Sequence, residues 1–88
     1  LNLVFRRLGH GRIMLVFSAA DRNLLNEAFN RLKSEDYTVL SYEVTAERSG
    51  EGMLYRATLV IRAKSSAGED RYLAVLQNDP DITVERIV

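Results

Sequence analysis

Two stretches with helical periodicity alternate with four β-rich runs, in the order strand, helix, strand, strand, helix, strand. No other feature narrows the folds open to this chain so far. Right-handed crossovers between such strands stack two helices on one face of a four-stranded antiparallel sheet, the βαββαβ two-layer sandwich of ferredoxin-like, α+β type. That architecture carries many unrelated functions, so function has to be sought in residues rather than in topology.

The first strand is predicted over Arg12–Ser18, with Ile13, Leu15 and Phe17 on one face and Met14 and Val16 on the other, as in a central strand that is apolar on both sides. Ser18-Ala19-Ala20-Asp21 offers two capping side chains, Ser18 and Asp21, for the helix that follows. Leu24, Leu25, Ala28, Phe29 and Leu32 form its apolar stripe, Arg22, Asn26, Asn30 and Lys33 face water, and its end is placed near Ser34 to Asp36. Strand two, Tyr37–Glu47, sets Leu40, Tyr42 and Val44 against Ser41, Glu43 and Thr45. Arg48-Ser49-Gly50-Glu51-Gly52 is a hairpin turn with two glycines free to take positive φ. Strand three, Met53–Lys64, turns Tyr55, Ala57, Leu59, Ile61 and Ala63 inward and Arg56, Thr58, Arg62 and Lys64 outward. Ser66-Ala67-Gly68-Glu69 reads as a capping box for a short helix carrying Tyr72, Leu73 and Leu76, and Pro80 stops it. The last strand, Ile82–Val88, has Ile82, Val84 and Val88 on one side and Ile87 on the other.

The opening residues, Leu1-Asn2-Leu3-Val4-Phe5-Arg6-Arg7-Leu8-Gly9-His10-Gly11, run from apolar to basic to glycine. Membrane helices leave the lipid in this way on the cytoplasmic side. Together with a start at Leu1 rather than Met, this predicts a juxtamembrane linker over residues 1–11 and a domain over residues 12–88 of a longer protein; the other reading is a frayed leader or a first helical turn. No run approaches the ~18 apolar residues of a membrane span, so the domain itself is expected outside the bilayer.

At 88 residues, one domain can bury roughly 60–65% of the surface its unfolded chain exposes. The absence of Cys removes disulfides, thiolate zinc sites and thiol nucleophiles together. Twelve Lys and Arg balance twelve Asp and Glu, leaving no net positive field of the kind that drives sequence-independent nucleic-acid binding. His10, the sole histidine, has no carboxylate cluster near it in sequence, as a metal site would require. Ser18, Ser49 and Ser66 have simpler roles as caps and turn residues than as nucleophiles, and Asp79 and Asp81 flank Pro80 in a solvated turn. No catalytic residue, cofactor or metal is therefore expected.

With strands one and three central, Met14, Val16 and Val60, joined by Val39, Leu54 and Ile87, make an apolar patch on the open sheet face, rimmed by Arg56, Arg62, Glu43 and Glu85. Rimmed apolar patches usually mark partner surfaces. Base stacking by a single-stranded RNA reader needs aromatics on that face, whereas Phe17 and Tyr55 share the inward parity. The patch is expected to serve self-association as a weak homodimer or docking to the rest of the parent protein.

Asp21-Arg22-Asn23-Leu24-Leu25 resembles the turn that opens the first helix of ACT domains, Tyr37-Thr38-Val39-Leu40-Ser41-Tyr42-Glu43-Val44 resembles their continuation, and Leu73 to Val84 resembles their closing helix, Pro-containing turn and last strand. One implication is an ACT-type amino-acid sensor of a metabolic enzyme or regulator, with Asp21 and Asn23 in its ligand turn. The glycine that lets a ligand carboxylate approach the backbone is absent, however, and Asn23 and Leu24 stand in that region. With the apolar-then-Arg6-Arg7 opening, the whole chain is most similar to the C-terminal cytoplasmic ACT-like domain of the MgtC/SapB family of bacterial inner-membrane proteins. That resemblance implies a non-enzymatic regulatory or interaction domain on the cytoplasmic side of the inner membrane. It also implies a role in adaptation to low magnesium and in intracellular survival, with the transmembrane part or another membrane protein as partner.

Overall fold

The computed structural model describes residues 1–32 and 37–88, Ser66 by its backbone alone. Among these residues the elements are β1 (Asn2–Gly9), β2 (Arg12–Ala19), α1 (Arg22–Leu32), β3 (Tyr37–Ser49), β4 (Gly52–Ala63), α2 (Ser66–Asn78) and β5 (Thr83–Ile87). All strands join one sheet in the order β3-β4-β2-β1-β5, antiparallel except where β1 lies parallel to β5. The protein is thus α+β, but the expected four-stranded antiparallel sheet is a five-stranded mixed one.

The extra strand comes from the residues expected to form a linker. Leu3 and Phe5 are fully buried beneath the helix layer, and at roughly 1.5–3 kcal/mol per buried large apolar side chain a chain that can bury them does so. Gly9, His10 and Gly11 have φ of 87°, 56° and 75°, and Gly9 faces Arg12 across the ladder. His10 and Gly11 are therefore a two-residue loop with both central φ positive, the twist that matches a hairpin. β1 enters the sheet between β2 and β5, so the last strand pairs with β1 instead of with β2.

The rest follows the periodicity closely. Asp21 is the cap of α1: its carboxylate accepts the Asn23 N–H at 2.9 Å and its carbonyl the Leu24 N–H at 3.1 Å. The end expected near Ser34 to Asp36, and Lys33, lie outside the described residues. α2 is capped one residue earlier than expected, by Ser65, whose hydroxyl accepts the Gly68 N–H at 3.1 Å. Leu25, Ala28 and Leu32 of α1 and Tyr72 and Leu76 of α2 bury against Leu3, Phe5, Ile13, Leu15, Phe17, Ala57, Leu59 and Ile61 of the sheet. Leu24, read as part of the stripe, is 40% exposed.

Two bulges alter the expected faces. In β3 the register shifts between Val39 and Ser41, with Val39 opposite the buried Ile61, so Leu40 is extra and 42% exposed instead of turning inward. In β5 the register shifts between Val84 and Arg86, which sets Ile87 opposite Phe5 and Arg86 opposite Val4. An inserted residue reverses the side-chain parity of everything beyond it. The β3–β4 hairpin also outruns its neighbour: β2 pairs with β4 only from Arg62 down to Tyr55, and the ribbon beyond lengthens the molecule to 42 Å against 24 Å across.

Candidate functional site

Both helices cover one side of the sheet and leave the other open. Register places side chains on that open side in rungs. Arg86, Val4, Val16, Thr58 and Glu43 stand side by side on one, and Arg6, Met14, Val60 and Ser41 on the next. The flanking rungs are Thr83, Asn2, Ser18, Arg56 and Thr45 on one side and Arg12, Arg62 and Thr38 on the other. The middle of the face is a shallow groove of about 690 Å³ lined by Val4, Arg6, Met14, Val16, Arg56, Arg86 and Val88. Val4, Met14, Val16, Leu54 and Val60 are half-buried, whereas Arg6, Arg56, Arg62, Arg86 and Val88 are exposed.

Of the six residues expected on this surface, Met14, Val16 and Val60 lie at its centre, and Leu54, opposite Glu47, lies on the hairpin past the end of β2. Val39 and Ile87 are displaced by the bulges to the helix-side register, where they are 37% and 44% exposed. Four groove residues escaped sequence reading. Val4 and Arg6 belong to the strand that stands where a linker is expected, and Arg86 and Val88 take their places only after the β5 bulge. The signal that could have found the first two is Gly9-His10-Gly11 flanked by β-rich runs on both sides.

Electrostatically the two sides of the sheet differ, although the chain is neutral overall. Arg6, Arg12, Arg56, Arg62 and Arg86 share the open face with Glu43 and Glu47. Among the described residues the one ion pair between these groups joins Arg56 to Glu47 at 3.5 Å, while Arg12 bonds its own turn, from Nε to the Gly9 carbonyl at 3.4 Å. Arg12 and Arg62 face each other directly, a placement that costs a pleated pair a few tenths of a kcal/mol to about 1 kcal/mol. On the covered side two arginines are matched: Arg7 contacts Glu69 at 3.6 Å and Asp70 at 3.1 Å, and Arg31 contacts Asp79 at 3.1 Å.

Every aromatic ring is on that covered side. Phe5, Phe17 and Tyr72 are core, Phe29, Tyr37, Tyr42 and Tyr55 pack against it, and Phe29 stacks on Tyr42 at 4.3 Å between centroids. The open face therefore offers no stacking platform for bases. His10 is an exposed turn residue, and among the described residues no group of three or more His, Cys, Asp or Glu could hold a metal ion. Asp21 and Asn23 lie exposed together at the start of α1, where the Asp21 carboxylate is engaged by the Asn23 backbone N–H. No helix among the described residues is long and apolar enough to cross a membrane.

Burial raises the Tyr42 phenol above its ordinary value of 10.0, against a smaller lowering effect of Arg22. Its hydroxyl is buried with no hydrogen-bond partner among the described residues. A phenol held neutral in the fold contributes stability that is complete below the unfolded value and is lost as pH climbs through the folded one. Alkaline unfolding should accordingly steepen above about pH 10, and Tyr42→Phe should blunt that limb. The same variant keeps the stacking on Phe29 and should leave stability at neutral pH unchanged or up to about 1 kcal/mol higher. Equal alkaline slopes for the two proteins in urea titrations at several pH values would contradict this.

In comparisons with known proteins, no family model, no curated protein and no solved structure matches this chain.

Proposed function

We propose that this domain is a non-catalytic docking module that engages another polypeptide through the open face of its sheet. The observation that carries this is the half-buried apolar floor of Val4, Met14, Val16 and Val60, set among exposed arginines for which the fold supplies few carboxylates. The sequence resemblance supports a setting for it, as the regulatory domain of an inner-membrane protein of MgtC/SapB type that adapts cells to low magnesium. In that setting its partner is the parent's transmembrane part or a neighbouring membrane protein. Self-association through the same face is disfavoured, because two-fold pairing would bring one arginine-rich face against another.

Two measurements test the proposal. Sedimentation equilibrium across a wide concentration range should return a monomer at moderate salt; a dimer abolished by Val60→Glu would assign the face to a second copy instead. A thermal-shift screen with amino acids and Mg²⁺ should leave the midpoint unmoved. The competing ACT-type sensor, with Asp21 and Asn23 in its ligand turn, predicts about 2.7 kcal/mol of added stability at a hundred times the dissociation constant. A shift of that size, lost in Asp21→Ala, would overturn docking as the primary role.

A further inference from the structure

Resting on the docking role just proposed, the geometry points to the chemistry of the partner: we propose that the groove takes an acidic, apolar segment of another polypeptide. Its apolar side chains sit on Val4, Met14 and Val16 and its carboxylates reach Arg6, Arg56 and Arg86.

Charge complementarity supplies the first argument. Arg6 and Arg86 extend from adjacent rungs of neighbouring strands, and no carboxylate among the described residues lies within ion-pair distance of either. Guanidinium groups pair with carboxylates through two parallel N–H···O bonds, so side chains of Asp or Glu are the natural complement. An acidic occupant also relieves the mutual repulsion of Arg12 and Arg62 at the end of the same face. On the covered side Arg7 and Arg31 show the same pairing chemistry already satisfied, against Glu69 and Asp79.

Relief supplies the second argument. Among the apolar side chains of the groove only Val88 is exposed, while Val4, Met14 and Val16 are half-buried below exposed arginine heads. A lipid surface is entered by apolar groups that project beyond their charged neighbours. Here the order is reversed, and the occupant has to bring its apolar groups down to the floor. The groove is also shallow and open, whereas a small ligand needs most of its own surface enclosed. A polypeptide satisfies both conditions, because it spreads many small contacts along an open surface. Nucleic acid meets the arginines but finds no ring to stack on and the carboxylates of Glu43 and Glu47 beside them.

The test uses four probes against the intact chain: a short fluorescent peptide alternating Glu with Val, its Lys-for-Glu counterpart, vesicles of phosphatidylglycerol and phosphatidylcholine, and oligouridine. The Glu peptide should bind, more weakly as salt rises, and the Lys peptide should not. The double variant Arg6→Glu, Arg86→Glu changes only exposed side chains, and its fold is checked by circular dichroism; it should weaken the Glu peptide by at least about tenfold. Met14→Lys, which puts a charge on the floor, should weaken it too, which separates a groove from a purely electrostatic attraction. The proposal is overturned if the Glu peptide fails to bind, if the Lys peptide binds equally well, or if the double variant binds as the wild type does. Binding of the Lys peptide, or of vesicles, that Val60→Glu abolishes would overturn the acidic partner while leaving the docking face in place. Silence of all four probes overturns the acidic partner and leaves the docking role to the monomer and thermal-shift measurements above.

Discussion

Removing residues 1–11 should abolish cooperative folding. A linker can be cut away at no cost, but β1 is an interior strand, flanked by β2 on one side and β5 on the other. Its loss strips Leu3 and Phe5 from the core, orphans the β2 backbone groups that face it, and leaves β5 with nothing to pair on. The point variant Phe5→Ala isolates the packing part of this effect. Phe5 is fully buried, and truncation of such a ring costs about 3–5 kcal/mol. At roughly 0.05–0.15 kcal/mol per residue, a domain of this size has about 4–13 kcal/mol in all, so the loss is a large share of it. Urea denaturation followed by circular dichroism should show a transition displaced to much lower urea for Phe5→Ala and no sigmoidal transition for the truncated chain. A truncated protein that unfolds cooperatively at the wild-type midpoint would return these residues to the status of a tether.

Substitutions at the two residues of the first turn should act in opposite directions. Gly11 has φ of +75°, and a Cβ built there comes within 3.2 Å of the Ala63 carbonyl oxygen, while the Gly11 carbonyl accepts the Ala63 N–H at 2.8 Å. A β-branched side chain meets both the left-handed backbone penalty and a rigid neighbour, so Gly11→Val should cost about 2 kcal/mol or more. His10, with φ of 56°, already carries a milder form of that penalty. His10→Asn gives the residue pair that primed hairpin turns favour and should add up to about 1 kcal/mol. A change of 1 kcal/mol moves the thermal midpoint of a domain of this size by about 4–8 °C, so calorimetry resolves both signs. Matching midpoints for Gly11→Val and wild type would mean that the turn is not formed as described.

Much of this architecture is legible in the sequence, and the rest is hidden for identifiable reasons. Helical spacing placed Leu25, Ala28 and Leu32, strict alternation placed Ala57, Leu59 and Ile61, and the glycines after Ser49 marked the hairpin, because each pattern spans enough residues to exclude the other period. β1 was obscured by its own composition. Leu3-Val4-Phe5 is apolar at consecutive positions and Arg6-Arg7 charged at consecutive positions, so the alternation that sends Leu3 and Phe5 one way and Val4 and Arg6 the other has no polar punctuation. The bulges at Leu40 and Glu85 leave no periodic trace at all, which is why alternation alone puts Val39 and Ile87 on the wrong side. The net charge of zero conceals a sorting: strand alternation puts Arg6, Arg56, Arg62 and Arg86 on one face while Glu69, Asp70 and Asp79 stay on the other side. The centre of the candidate surface, Met14, Val16 and Val60, was legible because those residues sit on strands without irregularities.

The parallel pairing of β1 with β5 brings a mechanical property with it. The Thr83 N–H bonds the Leu1 carbonyl at one end of this seam, and at the other Val88 exchanges bonds with Phe5 and Arg7. Because the two strands run the same way, tension applied at the first residue and at the last pulls them lengthwise past each other and loads all of these bonds at once instead of peeling them apart in turn. A tug transmitted through the chain ends would meet its stiffest resistance at the outset, so the sheet would hold its shape until the seam gives way as a whole.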